Sequence, residues 1–456
     1  MGSKEEPTEH AVGRRRSILV EVHAVASYRA RWVLPVSRPP IENGCVHVEH
    51  GRITRIGRHE AHHGATDLGD VAVLPGFVNA HTHLELTGCT GRVPFRGSFT
   101  RWIADLAAVV QSDYQQGEEA RREAIREGFR QSLAAGVTAV ADIGHGAVAV
   151  EEWRRAKVHT VGFLEVLGMG PRRLTPHERC FEDAVKLVEG DARAEETARA
   201  EAHGSLESSA NSSSLDPSLL SPPLTGSVLR RFGLSPHAPY STDAALYWQV
   251  VAYAAQAGVP VCTHLAETRE EIAFLSTGTG PFRELLERLG LWDGSFAPPG
   301  CSPVRYMAQL GLLALKPLLA HVNYASDDDL DLLAGHGASV VFCPRSHAFF
   351  GHEPYRYREM LARRINVCLG TDSLASNASL SILDEMRYLA AGGGLLHSQL
   401  LAMGTLAGAR ALGLSDEIGS LEPGKLANFA VVPLDYPATC DPTADVLLGQ
   451  APPAAF

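Results

Sequence analysis

The chain has 456 residues, of which 45% are hydrophobic and 20% charged, and carries a formal net charge of -11. That is enough apolar material for one large α/β barrel or two or three smaller units, and the negative balance argues against a nucleic-acid or anionic-membrane partner, since both need a basic face. No apolar run reaches the length of a membrane span and no charged start leads into an apolar signal region, so a cytoplasmic protein is expected.

Residues 1–16 are polar and hold the one basic cluster, Arg14 to Arg16, and read as a flexible tail. Residues 44–57, GCVHVEHGRITRIG, alternate apolar and polar positions around His50-Gly51, the pattern of a β-hairpin. Eight short apolar runs then follow, separated by longer helical stretches: VLPGFVNA before His81, VTAVADIG (137–144), HTVGFLEVLG (159–168), RFGLSPH (231–237), VPVCTHLAE (259–267), PLLAHVN (317–323), ASVVFCP (338–344) and INVCLGTD (365–372). Runs apolar on both faces with helices between them are what a helix-covered parallel sheet requires, and eight such units predict a (β/α)8 barrel over residues 73–414. Among the connectors, 118–135 has helical periodicity and stops at Gly136. The stretch at about 190–228 turns to Ser, Pro and Ala and reads as a flexible insertion. A strand-like tail, SLEPGKLANFAVVPL (420–434), pairs in this reading with the N-terminal hairpin. Residues 17–72 and 415–456 are accordingly expected to form one small composite β domain, a β-sandwich, beside the barrel.

The chemistry gathers where the predicted strands end. His81 and His83, two apart on an extended segment, project from one face as a pair that can grip a metal. Alone, HxH is a weak signal among 20 histidines. But His237 closes the fourth run, His264 with Glu267 the fifth, His321 the sixth and Asp372 the eighth, and in such barrels the strand ends share one rim. Three imidazoles and a carboxylate, His81, His83, His264 and Asp372, suit one divalent ion, Zn²⁺ first and Fe²⁺ as the alternative. Such an ion lowers the pKa of its water to about 7. Each residue also has a plainer explanation: a lone strand-end His is usually structural, Asp372 could cap a helix, and Glu267 could be a solvated carboxylate favoured by a helix start. Five coincidences at five strand ends are far less probable than one site. The eight cysteines lack any CxxC spacing, which fits reduced thiols rather than a thiolate zinc site.

In the order PGFVNAHTH, SPHAPYS, THLAET, AHVN, GTDSLASN and GSLEPGKLANFAVV, the chain resembles the amidohydrolase superfamily over nearly its whole length. The similar branch is that of the chlorohydrolases and aminohydrolases, which includes S-adenosylhomocysteine, guanine and aminodeoxyfutalosine deaminases. HTHLELTG, the RWI at 101–103 and FLSTGTGPFRELLERLG are most similar to aminodeoxyfutalosine deaminases, which act in a menaquinone-type pathway. The resemblance implies His81, His83, His264 and Asp372 as metal ligands, Glu267 as the proton shuttle to the substrate's ring nitrogen, His321 as the group that orients the attacking water, and Asp372 as its base. It also implies substrate contacts at His237 and Ser376. The fourth run ends in Ser235-Pro236-His237 rather than in the lysine or glutamate that bridges two metals in binuclear members, so one ion is expected. Glu165 remains an acidic candidate, read as a hydrogen-bond acceptor or buried partner.

Glu85, Trp102 and Arg345 are further candidates for substrate binding, to a ribose hydroxyl, an aromatic base and a substrate tail, with Arg101 beside Trp102 and His347 near Arg345. An Arg-Trp pair is as often packing as recognition. The expected partner is a small molecule, the candidate assembly a homodimer, and the function deamination of a purine nucleoside-like substrate, best matched by aminodeoxyfutalosine. Alternatives are deamination of S-adenosylhomocysteine, adenosine or guanine, hydrolysis of another C-N or C-Cl bond, and a metal-binding barrel without turnover. The zinc deaminase pattern of HxE with PCxxC, used on polynucleotide bases, is absent.

Overall fold

The computed structural model describes residues 25–58, 64–115, 117–169, 181–190, 228–292, 294–436 and 440–455. The N-terminal tail and almost all of the Ser/Pro-rich stretch lie outside the described residues. The first strands are β1 (Val25–Val33), β2 (Ile41–Glu49), β3 (Arg52–Arg58), β4 (Thr66–Asp67) and β5 (Val71–Pro75). β2 and β3 pair antiparallel across His50 and Gly51, whose φ angles of 50° and 74° give the left-handed turn that a two-residue hairpin needs.

The barrel strands are β6 (Phe77–Thr82), β7 (Val137–Gly144), β8 (His159–Val166), β9 (Arg230–Pro236), β10 (Cys262–Leu265), β11 (Leu318–His321), β12 (Ser339–Phe342) and β13 (Asn366–Leu369). They form two four-stranded parallel sheets, β6 to β9 and β10 to β13. Parallel bridges Leu234↔Val261 and Thr82↔Asp372 join the two sheets at both seams, so the eight strands run in sequence order around a ring. β7 and β8 are buried along their whole length. Their alternating side chains divide between two clusters: Ala139, Ala141, Ile143, Val161 and Phe163 pack inside with Val78, Cys262 and Val341, while Val140, Leu164 and Val166 pack outward under the helices.

Two differences from the sequence reading concern the ends. The run VLPGFVNA is broken at Gly76, with β5 on one side and β6 on the other. A side chain at Gly76 would collide with Thr138. The strands expected as a β-sandwich belong to one seven-stranded sheet, in which β14 (Phe429–Pro433) lies between β5 and β15 (Ala454–Ala455). This sheet covers its own core of Tyr28, Val46, Ile53, Val73 and Phe429. Of the tail 420–434 only residues 429–433 are strand, because SLEPGKLA contains Pro and Gly and no period-2 alternation.

The first barrel strand is also fixed from its neighbour. Asp142 on β7 is fully buried and accepts hydrogen bonds from the Leu84 backbone N-H (2.8 Å) and from the Trp153 indole (2.7 Å). Trp153 lies on α3 (Gly146–Arg155) and packs over Gly162, where an added Cβ would come within 2.2 Å of the ring. Asp142→Asn would set an amide N-H against one of these two donors; it is expected to lower the unfolding free energy by about 1–3 kcal/mol, measured by urea denaturation.

Candidate metal centre and catalytic cleft

The strand ends turn sharply at the residues that matter. Ala266, His321, Val322 and Asp372 all have φ between 49° and 70°, a left-handed conformation that non-glycine residues adopt only when the surroundings enforce it. Backbone bonds supply the enforcement. Val322 N-H donates to Leu265 O, Thr371 and Asp372 N-H both donate to His81 O, and the Tyr355 hydroxyl donates to His321 O at 2.6 Å.

His81, His83 and His264 converge with ligand nitrogens within 4.8 Å of one another. Asp372 Oδ1 lies 3.8 Å from both His81 Nε2 and His83 Nε2. The fit to a metal rests on three observations. The His81 ring nitrogens are buried with no hydrogen-bond partner among the described residues, which is costly unless something else satisfies them. His264 Nδ1 meets the His237 carbonyl at 2.8 Å, which makes Nδ1 the protonated nitrogen and leaves the Nε2 lone pair for a ligand. Finally, His83 Nε2 and His264 Nε2 are 3.2 Å apart, close to the separation of two imidazoles each about 2.0–2.1 Å from one tetrahedral ion. Burial and the neighbouring imidazoles hold His81 well below its ordinary pKa and bring His83 down to about 4. His81 and His83 are thereby pushed toward the neutral form, the one that binds metal.

Two carboxyls flank this cluster, and their surroundings drive them apart. Glu267 is buried and lies 3.6 Å from His321 Nε2. Burial, reinforced by the charge of Asp372, pushes its carboxyl well above the usual range, against a hydrogen bond from Tyr240. Burial also opposes ionisation of Asp372, but His321, His83 and the Ser346 hydroxyl outweigh it and hold its pKa below the ordinary value. Asp372 Oδ2 accepts from Ser346 Oγ (2.7 Å) and Ser376 Oγ (2.9 Å), and Oδ1 accepts from Ser373 N-H. One carboxyl is thus pushed toward the protonated form and the other toward the ionised form, the division that acid-base work requires.

The structure brings His237 to the same cluster, its ring 4.8 Å from that of His264. It places the other substrate-binding candidates differently. The Ser376 hydroxyl is engaged by Asp372 and Ser346. Trp102 and Arg101 lie on helix α1 (Phe99–Tyr114). Trp102 is buried among Phe99, Phe349 and Phe350, with its indole N-H donated to Val93 O, so packing accounts for it. The Arg345 guanidinium hydrogen-bonds Ser379 and lies 3.6 Å from Asp384, with Glu385 beyond. The Glu85 carboxylate is held by the His145 backbone N-H (2.9 Å) and by Arg121 (3.1 Å) on α2 (Glu118–Ala134).

Several residues were missed in the sequence. Ser346 follows the CPR turn and gave no motif. Glu271, buried on the helix Arg269–Thr277, accepts from Ala266 N-H and Glu267 N-H and so fixes the backbone that carries Glu267. The legible signal was its spacing in THLAETREE, where Thr268 caps a helix and Glu271 is its third residue. His145, directly after the second apolar run, and Tyr240, within SPHAPYS, stood at positions that could have marked them.

The amidohydrolase family model matches residues 72–453. A 5-methylthioadenosine/S-adenosylhomocysteine deaminase of Moorella thermoacetica is 28% identical over 437 residues, covering 90% of this chain and 86% of that one. An aminodeoxyfutalosine deaminase of Deinococcus radiodurans is 27% identical over 350 residues, 73% of this chain and 71% of its own. Among solved structures, the aminofutalosine deaminase of Helicobacter pylori in complex with methylthio-coformycin superimposes with a TM-score of 0.71 at 21% identity, over 94% of this chain and 97% of that chain. Zinc added to chelator-stripped protein is expected to raise Tm, since an ion that binds only the folded state stabilises it. In His81→Ala the rise should be lost, as read by differential scanning calorimetry.

Proposed function

Because this chain belongs to the amidohydrolase family, we propose that it is a metal-dependent aminohydrolase that deaminates a purine nucleoside-like substrate. The observation that carries the reading is the convergence of His81, His83 and His264 with the Asp372 carboxylate 3.8 Å away on one side and the buried Glu267 carboxyl 3.6 Å from His321 on the other. A divalent ion held by His81, His83, His264 and Asp372, with Zn²⁺ suited to that donor set, supplies a Lewis acid and a nucleophilic water near neutral pH.

The chain's own residues divide the proton transfers. Asp372, ionised, takes a proton from the water as its oxygen adds to the amine-bearing ring carbon. Glu267, protonated, gives its proton to the adjacent ring nitrogen. His321, fixed through its carbonyl by Tyr355 and facing Glu267 at 3.6 Å, orients the water and stabilises charge on the tetrahedral carbon. In the second half, Asp372 returns its proton to the departing amine, the hydroxyl proton passes to Glu267, and ammonia and a ring carbonyl result. His237 is the substrate-facing group: its Nδ1 faces Ser241 Oγ at 2.6 Å, and Ser241 in turn donates to Ala238 O, so the Nε2 lone pair is left toward the cleft.

Aminodeoxyfutalosine is the proposed substrate, supported by the Deinococcus relative and by HTHLELTG and RWI. Deamination of 5-methylthioadenosine or S-adenosylhomocysteine is the second reading, favoured by the longer match to the Moorella relative. Ammonia release over aminodeoxyfutalosine, 5-methylthioadenosine, S-adenosylhomocysteine, adenosine and guanine, with zinc analysis of the same sample, tests both; release from none of them would overturn the proposal. Glu267→Gln is expected to lower kcat roughly 10²–10⁴-fold while leaving zinc content unchanged. Unchanged turnover would remove Glu267 from the mechanism.

A further inference from the structure

The segments that follow β10 and β11 stay bonded to each other past the ends of the strands. Val322 N-H donates to Leu265 O, and Tyr324 N-H donates to Ala266 O. The next carbonyl along, that of Glu267, is met by a side chain instead, with Asn323 Nδ2 donating to it at 2.9 Å. From the other side Glu271 holds the amides: Oε1 accepts from Ala266 N-H at 2.9 Å and Oε2 from Glu267 N-H at 2.8 Å. Glu267 therefore has its N-H and its C=O each gripped by a different buried side chain.

Folding alone gives little reason for either grip. Glu271 is fully enclosed, and a buried carboxyl is a costly way to fill a helix position that an apolar side chain could occupy. Asn323 Oδ1 is buried with no hydrogen-bond partner among the described residues, which also costs stability. Groups kept against the fold's own preference mark a functional constraint. The backbone they hold is strained as well, since Ala266 has φ 49° and the two residues before Asn323, His321 and Val322, have φ 70° and 52°. Because Asn323 is two residues from His321, one short loop carries both the imidazole and the amide that holds Glu267. The 3.6 Å between His321 Nε2 and Glu267 Oε1 is thus fixed by a bond within the same few residues.

We propose that Glu271 and Asn323 are positioning residues for the proton donor: they clamp the Glu267 backbone from two sides and so keep its carboxyl at the place beside His321 that turnover requires. The proposal deepens the reading above and rests on Glu267 as the group that protonates the substrate ring. Both residues act through Glu267, because the Glu271 oxygens are taken by backbone N-H groups and the Asn323 amide has no proton to exchange. The leverage is large. A displacement of about 1 Å in a reacting group can lower a rate by about 10²-fold.

The test compares zinc-loaded Glu271→Gln and Asn323→Leu, each alone and combined with Glu267→Gln, on the substrate of the ammonia panel that the native protein turns over fastest. Each single variant is expected to lose roughly 10–10²-fold in kcat, with KM and zinc content unchanged. In the Glu267→Gln background neither is expected to lower kcat further, a result that general loosening of the fold would not give. Crystal structures of the single variants are expected to show the Glu267 carboxyl displaced from His321 while His81, His83 and His264 keep their places. Asn323→Leu removes the unpaired acceptor together with the donor, so it is expected to fold, and it decides the matter if Glu271→Gln does not. A carboxyl that stays in place, or a loss that adds in full to that of Glu267→Gln, overturns the proposal. A native protein that releases ammonia from no panel substrate overturns the aminohydrolase reading instead, and the carboxyl position in the variant structures then still decides the clamp.

Discussion

The site depends on the seam between the first and last strands of the barrel. The His81 carbonyl accepts the backbone N-H groups of both Thr371 and Asp372, while Asn79 binds Thr371 through its side-chain amide and accepts the Thr371 N-H. These bonds do two jobs with one set of atoms. They close a ring of parallel strands that would otherwise leave two edges unpaired, and they hold Asp372 in a left-handed backbone conformation beside His81 and His83. The carboxylate of Asp372, far away in sequence, is thereby locked against the imidazole pair.

Once the ring is closed, electrostatics follows from enclosure. Four imidazoles packed at ring distances of about 5 Å cannot all be charged in a buried space, and burial holds His81, His83 and His321 below the ordinary imidazole pKa. The negative groups are then sorted by their nearest donors. Asp372 receives Ser346, Ser376 and a backbone N-H and remains ionised. Glu267 is enclosed with a hydrogen bond from Tyr240, and burial pushes its carboxyl toward the protonated form. Glu85 and Glu165 are compensated by His145 and Arg121. Four carboxylates of similar intrinsic acidity come to occupy distinct states because their hydrogen-bond donors differ.

Much of this was legible in the chain. The eight apolar runs coincide with β6 to β13 because strands buried on both faces leave an unbroken apolar signature. The residues closing those runs fall on one rim because parallel strands point the same way. The helix 118–134 was legible from its periodicity and from Gly136, which has φ 75°. Less visible were Asp142, a single carboxylate that holds a backbone N-H and carries no motif, Glu271, whose only signal was its spacing from the helix cap Thr268, and Ser346, one serine among many. Trp102 and Arg345 showed the opposite limit, since residue types suited to binding a ligand were instead occupied with Val93, Ser379 and Asp384.

The sequence by itself determined the barrel, the family and the set His81, His83, His264, Glu267, His321 and Asp372, because local periodicity and strand-end position are one-dimensional properties. Only the tertiary structure decided which groups meet: that Ser346 and Ser376 share the Asp372 carboxylate, that Tyr240 reaches Glu267, and that His145 bridges Glu85 and Glu165. The physical reason is that a hydrogen bond or ion pair is set by distances of a few ångströms between side chains far apart in the chain, and no local pattern encodes those distances.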